Sequence, residues 1–333
     1  MSTILGNPIT LGGGGLELVA NVTDGATVTA TLGSKTVTGV SVGGQARLKI
    51  PQEGKWRVSA TSGALVSVPQ EINVPATLDI PLVAVSQELN DNSWVVIKQV
   101  ADANTGANFW AVGDCKQVTM NGKVSDGLTL TNYSAWVFII GFNHNAEREG
   151  NGIAFQGFKA TDKGVDVCLV DSDYNNQKTS GTWFNMNNSN TNAGGWEASL
   201  MRKNVMPLIK AAFPADLQAV IKPSTIFTAP DKGNIELTAT QDEVFLLAEY
   251  EVFGTQENAS SQEPNYLKQY AYYSAGNSRV KYKHNDTSTA VGWWERSPLS
   301  GASYSFCFVD AGGGALRYSY ASNSGGVSPA FKV

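Results

Sequence analysis

Catalysis at neutral pH draws mostly on imidazole, thiol and paired carboxylate, and the first two are scarce in this chain. Its 333 residues include two histidines, His144 and His284. Neither stands in an H-E-x-x-H pattern, beside a G-x-S-x-G elbow, or near a cysteine placed for activation. Cys115, Cys168 and Cys307 are odd in number, far apart and without a C-x-x-C pair. They point to reduced, buried thiols and to neither a disulfide framework nor a zinc ribbon. Two oxygen-rich stretches have the ligand types of a hard-cation site. One is Glu263-Pro264-Asn265 followed by His284-Asn285-Asp286. The other, Asp171-Ser172-Asp173-Tyr174-Asn175, begins like a calcium-binding loop, but Thr182 stands where a bidentate glutamate is required and Asn176 replaces the turn glycine. An Asx-rich turn is the plainer reading. The expectation is therefore a non-enzyme with no catalytic residues, no metal and no cofactor.

Binding is better served than catalysis. Tyr304, Arg317, Tyr318, Tyr320 and Asn323 gather aromatic faces and adaptable hydrogen-bonding groups in one C-terminal stretch, the chemistry that grips sugars or protein surfaces. Tyr318 and Tyr320 read equally well as the last pieces of a core. The frame for these residues is Gly292-Trp293-Trp294-Glu295-Arg296-Ser297-Pro298. Neighbouring side chains on a strand point to opposite faces, so Trp293 and Trp294 cannot share a pocket and both faces must be covered. That describes a central strand and a core fixture. Arg296 falls on the Trp294 face, where it can stack on an indole or fork onto a carboxylate, and Pro298, lacking an N–H, ends the ladder. A meander follows: a strand over 303–310, a reversal at Gly312-Gly313-Gly314, a strand over 316–320, a turn at Gly325-Gly326, and a last strand over 327–333 with Val327, Pro329, Phe331 and Val333 on one face.

These residues carry a resemblance. The pattern Gly-Trp-Trp-x-Arg-Ser-Pro, then Phe306-Cys307-Phe308-Val309 and Gly326-Val327-Ser328-Pro329-Ala330-Phe331, resembles a domain family common in tail, fibre and head-decoration proteins of phages and prophages. That family is related to the C-type-lectin-like fold of phage variable receptor-binding proteins and formylglycine-generating enzymes. The Asn-rich run from Asn187 to Trp196, Met201-Arg202, the run from Val244 to Gly254 and Tyr272-Tyr273 agree with it, so the resemblance covers roughly 90–333. It implies a C-type-lectin-like domain in which the segment holding Tyr304, Arg317, Tyr318, Tyr320 and Asn323 carries receptor contacts. Glu263-Pro264-Asn265 and His284-Asn285-Asp286 are similar to the calcium ligands of sugar-binding C-type lectins, with His284 in place of a tryptophan. The coupled cysteine pair of the formylglycine-generating enzymes has no counterpart here.

The elements that must position these groups follow from the rest of the chain. Residues 1–15, with Gly12-Gly13-Gly14-Gly15, read as a flexible or docking arm. Residues 16–85 alternate in short strands over 16–22, 27–32, 35–41, 45–50, 55–60 and 64–74, which predicts an all-β, immunoglobulin-like sandwich with Val28, Ala30, Leu32, Leu48, Ile50, Trp56 and Val58 inside. Pro75, Pro81 and Ser86 mark a linker. Residues 90–333 read as an α+β domain. A helix capped by Asp91 or Asn92 carries Trp94, Ile97, Val100 and Ala101 on one side; a second helical region spans 199–213 with a kink at Pro207, and a turn runs on from Pro214. A buried strand is expected over 243–252 and a short helix near 266–273.

The net charge of −5 comes from interspersed acids with no basic run, which argues against nucleic acid as a partner. No stretch has the apolar length of a membrane span and no leader pattern opens the chain. The expectation is a phage virion structural protein of tail, fibre or head decoration, made without a leader in the bacterial cytoplasm. It would assemble as a homo-oligomer with other virion subunits and present its second domain to a host cell-surface glycan or protein. The alternative is a decoration or cement protein that binds virion subunits alone, and a third reading is an enzyme of the formylglycine-generating type.

Overall fold

The computed structural model describes residues 15–333, without the side chains of residues 316–318. The arm expected over 1–15 thus lies, but for Gly15, outside the described residues. The protein is β-rich, with 41% of residues in strands and 17% in helices, arranged in several sheets. It divides into two compact units, the first ending at Val85 and the second running from Ser86 to Val333.

In the first unit the alternation of Gln45–Ile50 is strict, with Ala46, Leu48 and Ile50 buried and their neighbours exposed. This strand pairs antiparallel with Leu16–Asn21, which pairs in parallel with Ala76–Asp79. A second sheet runs Lys35–Val40, Thr27–Leu32, Gly54–Ser62, Leu65–Ser67, Leu82–Ala84, and Gln70–Val74 also pairs with Gly54–Ser62. Leu18, Val28, Leu48, Trp56 and Val58 from the two sheets share one apolar cluster. Leu32 packs against this cluster only partly buried. The strand expected over 64–74 is broken after Ser67, where Val68 and Pro69 leave the ladder. The segment read as linker after Pro75 holds two further strands, because a proline removes one donor without barring short strands on either side of it.

The second unit is built on a five-stranded antiparallel sheet in the order Cys115–Ser125, Leu128–Phe142, Ile153–Lys159, Ala330–Lys332, Val244–Phe245. The last strand is shorter than the 327–333 expected and lies in this sheet, not in the meander. It is held there by reciprocal bonds between Ile153 and Val333. Residues 86–89 belong to this unit, since the Ser86 carbonyl accepts from Trp110 Nε1 (3.1 Å) and its N–H donates to Asn92 Oδ1 (2.9 Å).

The first helix, Trp94–Asp102, buries Trp94, Ile97, Val100 and Ala101, but its cap is Ser93, whose Oγ accepts from the Val96 N–H. Asn92 is occupied instead with the Ser86 and Glu88 carbonyls. The second helical region comes in pieces: Gly195–Ala198, a π turn at Met201–Val205, and Met206–Ala212 with Pro207 in its first turn, where the missing N–H costs nothing. Ala215–Gln218 follows Pro214. The strand expected over 243–252 is cut to Val244–Phe245, and Glu249–Phe253 is a helical turn whose Glu251 carboxylate accepts from the Ala248 N–H (2.9 Å). In place of one helix near 266–273 there are two single turns, Glu263–Tyr266 and Ala271–Ser274. Among the described residues no helix is long and apolar enough to cross a membrane.

Candidate functional site

Trp293–Pro298 is buried at all six positions. It pairs antiparallel with Ser305–Val309, which pairs with Ala315–Tyr320. Its opposite edge is closed as well, by Trp294 N–H to Gly326 O (2.9 Å) and Arg296 N–H to Leu247 O (2.8 Å), so it has neighbours on both sides although it ends the three-stranded sheet. Trp293 donates from Nε1 to Arg279 O (2.9 Å) and Trp294 to Phe184 O (2.8 Å), while Phe308 meets the Trp294 ring edge-on at 4.8 Å. Gly325 passes so close to this indole that a Cβ would lie 2.6 Å from its Nε1.

The meander this strand anchors brings two of the candidate binding residues to the surface. Tyr304 is 42% and Tyr320 44% exposed, with ring centroids 5.5 Å apart and planes tilted by 46°. They meet because Ser305 pairs with Tyr320 across the ladder and the Ala321 N–H donates to Tyr304 O. Asparagines brace this corner from behind. Asn192 Nδ2 donates to the carbonyls of Leu299, Ala302 and Ser305, and Asn190 Oδ1 accepts from the backbone and hydroxyl of Ser322. Asn323 is half-buried, its backbone N–H on Tyr320 O and its strand edge bridged to Gln177. Arg317 and Tyr318 lie on Ala315–Tyr320, and their side chains are outside the described residues. The result is a pair of exposed phenol rings on a backbone held in place by asparagine side chains, Asn192 buried and Asn190 at the surface, suited to stacking on the apolar face of a ligand.

Behind Trp293–Pro298 lies a concentration of buried charge that spacing did not reveal. Arg296 forks onto Glu251, Nη1 to Oε2 at 2.6 Å and Nη2 to Oε1 at 2.7 Å, and does not stack on an indole. Its remaining donors reach Leu246 O, Phe227 O and Thr228 Oγ1. Burial works against the Glu251 charge, but Arg296 outweighs it and holds the carboxyl below its usual range. Glu249 accepts from the N–H groups of Glu257, Asn258 and Ala259. Glu263 accepts from Ser297 Oγ and the Tyr250 N–H, and burial pushes it up to about 7. Glu295 is fully buried with neither oxygen hydrogen-bonded, and burial together with Glu249, Glu263 and Glu251 raises it well above a normal carboxyl. The legible traces of this cluster are Arg296, read as able to fork onto a carboxylate, and Glu249 and Glu251 standing inside an apolar run.

Neither cation-like stretch assembles a site. Glu263 is consumed internally, Asn265 donates to Gln262, and Asp286 bonds Ser288 and Thr289 in its own turn. Asp171 accepts from Asp173, Phe184 and Ser324, and Asp173 pairs with Lys178, which fits the Asx-turn reading. The ligand atoms of His144, Glu149 and Glu251 do lie within 4.8 Å of one another. Both carboxylates already face cations, Lys332 on Glu149 at 2.6 Å and Arg296 on Glu251, so the group is compensated without a metal. His144 stacks on Tyr270 at 3.6 Å, and burial pushes its imidazole down to about 4. His284 accepts from the Val170 N–H through Nδ1. Cys168 and Cys307 are buried thiols and Cys115 is half-buried, its thiol pushed up to about 11 by burial, away from the range of a nucleophile. The cleft beside Met206 and Pro207 has its cations, Arg202 and Lys210, paired with Asp242 and Glu243.

The comparison with curated proteins and that with solved structures return no match. A family model described as a domain of unknown function, DUF6273, matches residues 166–333, a span that takes in Trp293–Pro298, the tyrosine pair and the buried glutamates of Glu249–Phe253. Matched over half its length, the chain belongs to the DUF6273 family.

Proposed function

We propose that the chain is a non-enzymatic structural subunit of a bacteriophage particle, in which an immunoglobulin-like first unit attaches to other virion subunits and a C-type-lectin-like second unit meets a host surface glycan or protein. The observation that carries this reading is the Tyr304–Tyr320 pair, two large rings left exposed beside each other on a corner whose backbone is held by the buried Asn192 and the exposed Asn190. Aromatic residues with two side-chain torsions present contact area at small entropic cost, as paratopes do. The sequence resemblance of the Gly292–Pro298 motif supplies the virion context. In the first unit Val40 and Val42 are 59% and 79% exposed next to the edge strand Lys35–Val40, an apolar margin suited to contact with another subunit. That margin equally favours the second reading, a decoration protein with no host ligand.

Each weak contact is worth about 0.5–1.5 kcal/mol, so adhesion would depend on many copies acting together. The test is the Tyr304→Ala/Tyr320→Ala double variant in an oligomeric form, with an unchanged melting temperature as the control. Reduced adsorption to host cells supports attachment through this face. Undiminished adsorption removes the adhesin reading and leaves decoration as the better account.

A further inference from the structure

The side chains of Lys281 and Asp166 come together in the interior of the second unit. Lys281 is fully buried and its Nζ has no hydrogen-bond partner; Asp166 Oδ2 is 3.6 Å away, within ion-pair range but beyond hydrogen-bonding distance. Phe138 and Trp293 stand over the ammonium position at 5.4 and 5.2 Å. The other Asp166 oxygen, Oδ1, receives Lys159 Nζ at 2.5 Å, and Tyr272 Oη lies 3.3 and 3.2 Å from the two carboxylate oxygens. The backbones are pinned: Asp166 bridges to Lys159 on one side, and its carbonyl accepts from the Tyr282 N–H at 2.9 Å on the other.

Asp166 thus faces two lysines, Lys159 hydrogen-bonded to it and Lys281 within ion-pair range but without a hydrogen bond. An amine buried without a hydrogen bond is free to use its lone pair once it loses its proton, and the Asp166 carboxyl held beside it replaces a bimolecular encounter with an intramolecular one. We propose that Lys281 and Asp166 join in an intramolecular isopeptide bond, formed by the folded protein itself. The neutral Lys281 Nζ attacks Asp166 Cγ. The new N–Cγ bond forms as the Cγ–Oδ1 bond breaks, and Tyr272 Oη–H holds the oxygen that stays. The departing oxygen takes one proton from the Lys281 amine and one from the Lys159 ammonium, and leaves as water. The products are a secondary amide, one water and a neutral Lys159, so charge and atoms balance with no oxidant or external reagent.

The division of labour follows from the surroundings. Burial pushes the Lys281 ammonium below its ordinary range, favouring the free amine. Burial opposes the charge on Lys159 too, but the Asp166 carboxylate and its hydrogen bond reverse the effect, keeping Lys159 protonated as the acid. Exchanging buried ions for a neutral amide and releasing water to solvent removes their desolvation cost. The inference is independent of the virion reading, since it concerns the interior of the second unit.

The experiment is the intact mass of the purified full chain, unfolded in denaturant, followed by peptide mapping. The proposal expects a mass below the sequence mass by one water, a branched peptide joining the Asp166 and Lys281 segments, and full sequence mass in Lys281→Arg, which keeps the positive charge but not the amine. Lys159→Met should slow or abolish the loss while leaving Lys281 and Asp166 in place. A wild-type chain at its full sequence mass, with both peptides linear, overturns the proposal. So does a water loss that persists in Lys281→Arg, which would place the dehydration at the aspartate alone.

Discussion

Replacing Arg296 with methionine should destabilise the second unit by about 3–5 kcal/mol, the cost of leaving one member of a buried ion pair without its partner. Methionine fills much of the space of the arginine stem, so lost packing is the smaller part. What disappears is the fork onto Glu251, which is left with the Ala248 N–H alone, and the donors to Leu246 O and Phe227 O, each orphaned carbonyl adding about 1 kcal/mol. The pH dependence distinguishes this cause from simple loosening. In the wild type the folded-state pKa of Glu251 is depressed, so its contribution is present above the unfolded value of 4.5 and lost as pH falls through the folded one. Without Arg296 the same carboxyl is buried and unpaired, its pKa rises, and the protein loses stability as pH rises instead. The gap between variant and wild type should therefore widen from acidic to mildly alkaline pH. The companion double variant Arg296→Met/Glu251→Leu removes the stranded charge and should recover most of the loss, giving a large coupling energy. Urea unfolding followed by tryptophan fluorescence measures the wild type, the single variants Arg296→Met and Glu251→Leu, and the double. A single variant that loses under about 1 kcal/mol, or a double variant whose loss equals the sum of the two singles, would refute the argument that this pair is valued as a pair.

Trp294→Ala should cost about 3–5 kcal/mol through the cavity left against Phe308 and the lost bond to Phe184 O; an unchanged denaturation midpoint would show that the indole is not a core element. Glu263 is raised to about 7 from 4.5, so its contribution is fully present below 4.5 and lost as pH rises through 7. Glu263→Gln, which cannot ionise, should gain on the wild type by about 3 kcal/mol across that window, and stability curves that stay parallel would contradict it. Limited proteolysis should cut at the exposed Gln87 and Glu88, at the start of the second unit and just past the boundary between Val85 and Ser86, and leave a folded fragment starting close to Glu88; digestion without a stable intermediate counts against that boundary.

Local pattern made part of this legible from the chain alone. The alternation of Gln45–Ile50, the apolar stripe of Trp94–Asp102 and the adjacency of Trp293 and Trp294 concern neighbours one to four residues apart, and the geometry of a strand or helix turns such spacing directly into faces. The readings that failed were those in which distant groups decide. The run from Val244 to Val252 is apolar enough for a long strand, yet two carboxylates inside it needed partners, and Glu251 finds Arg296 on another strand while turning its own backbone into a helix cap. The final residues look like one more strand of the meander, but Phe331 pairs with Phe155 and Val244, far off in the chain. No spacing rule links Asp166 to Lys281, or Tyr304 to Tyr320, because side-chain periodicity carries information only within an element. Which charges are buried together, which rings remain outside and which amine lies beside which carboxylate are set by how the sheets pack, where most polar groups taken out of water find a partner and Glu295 and Lys281 find no hydrogen bond.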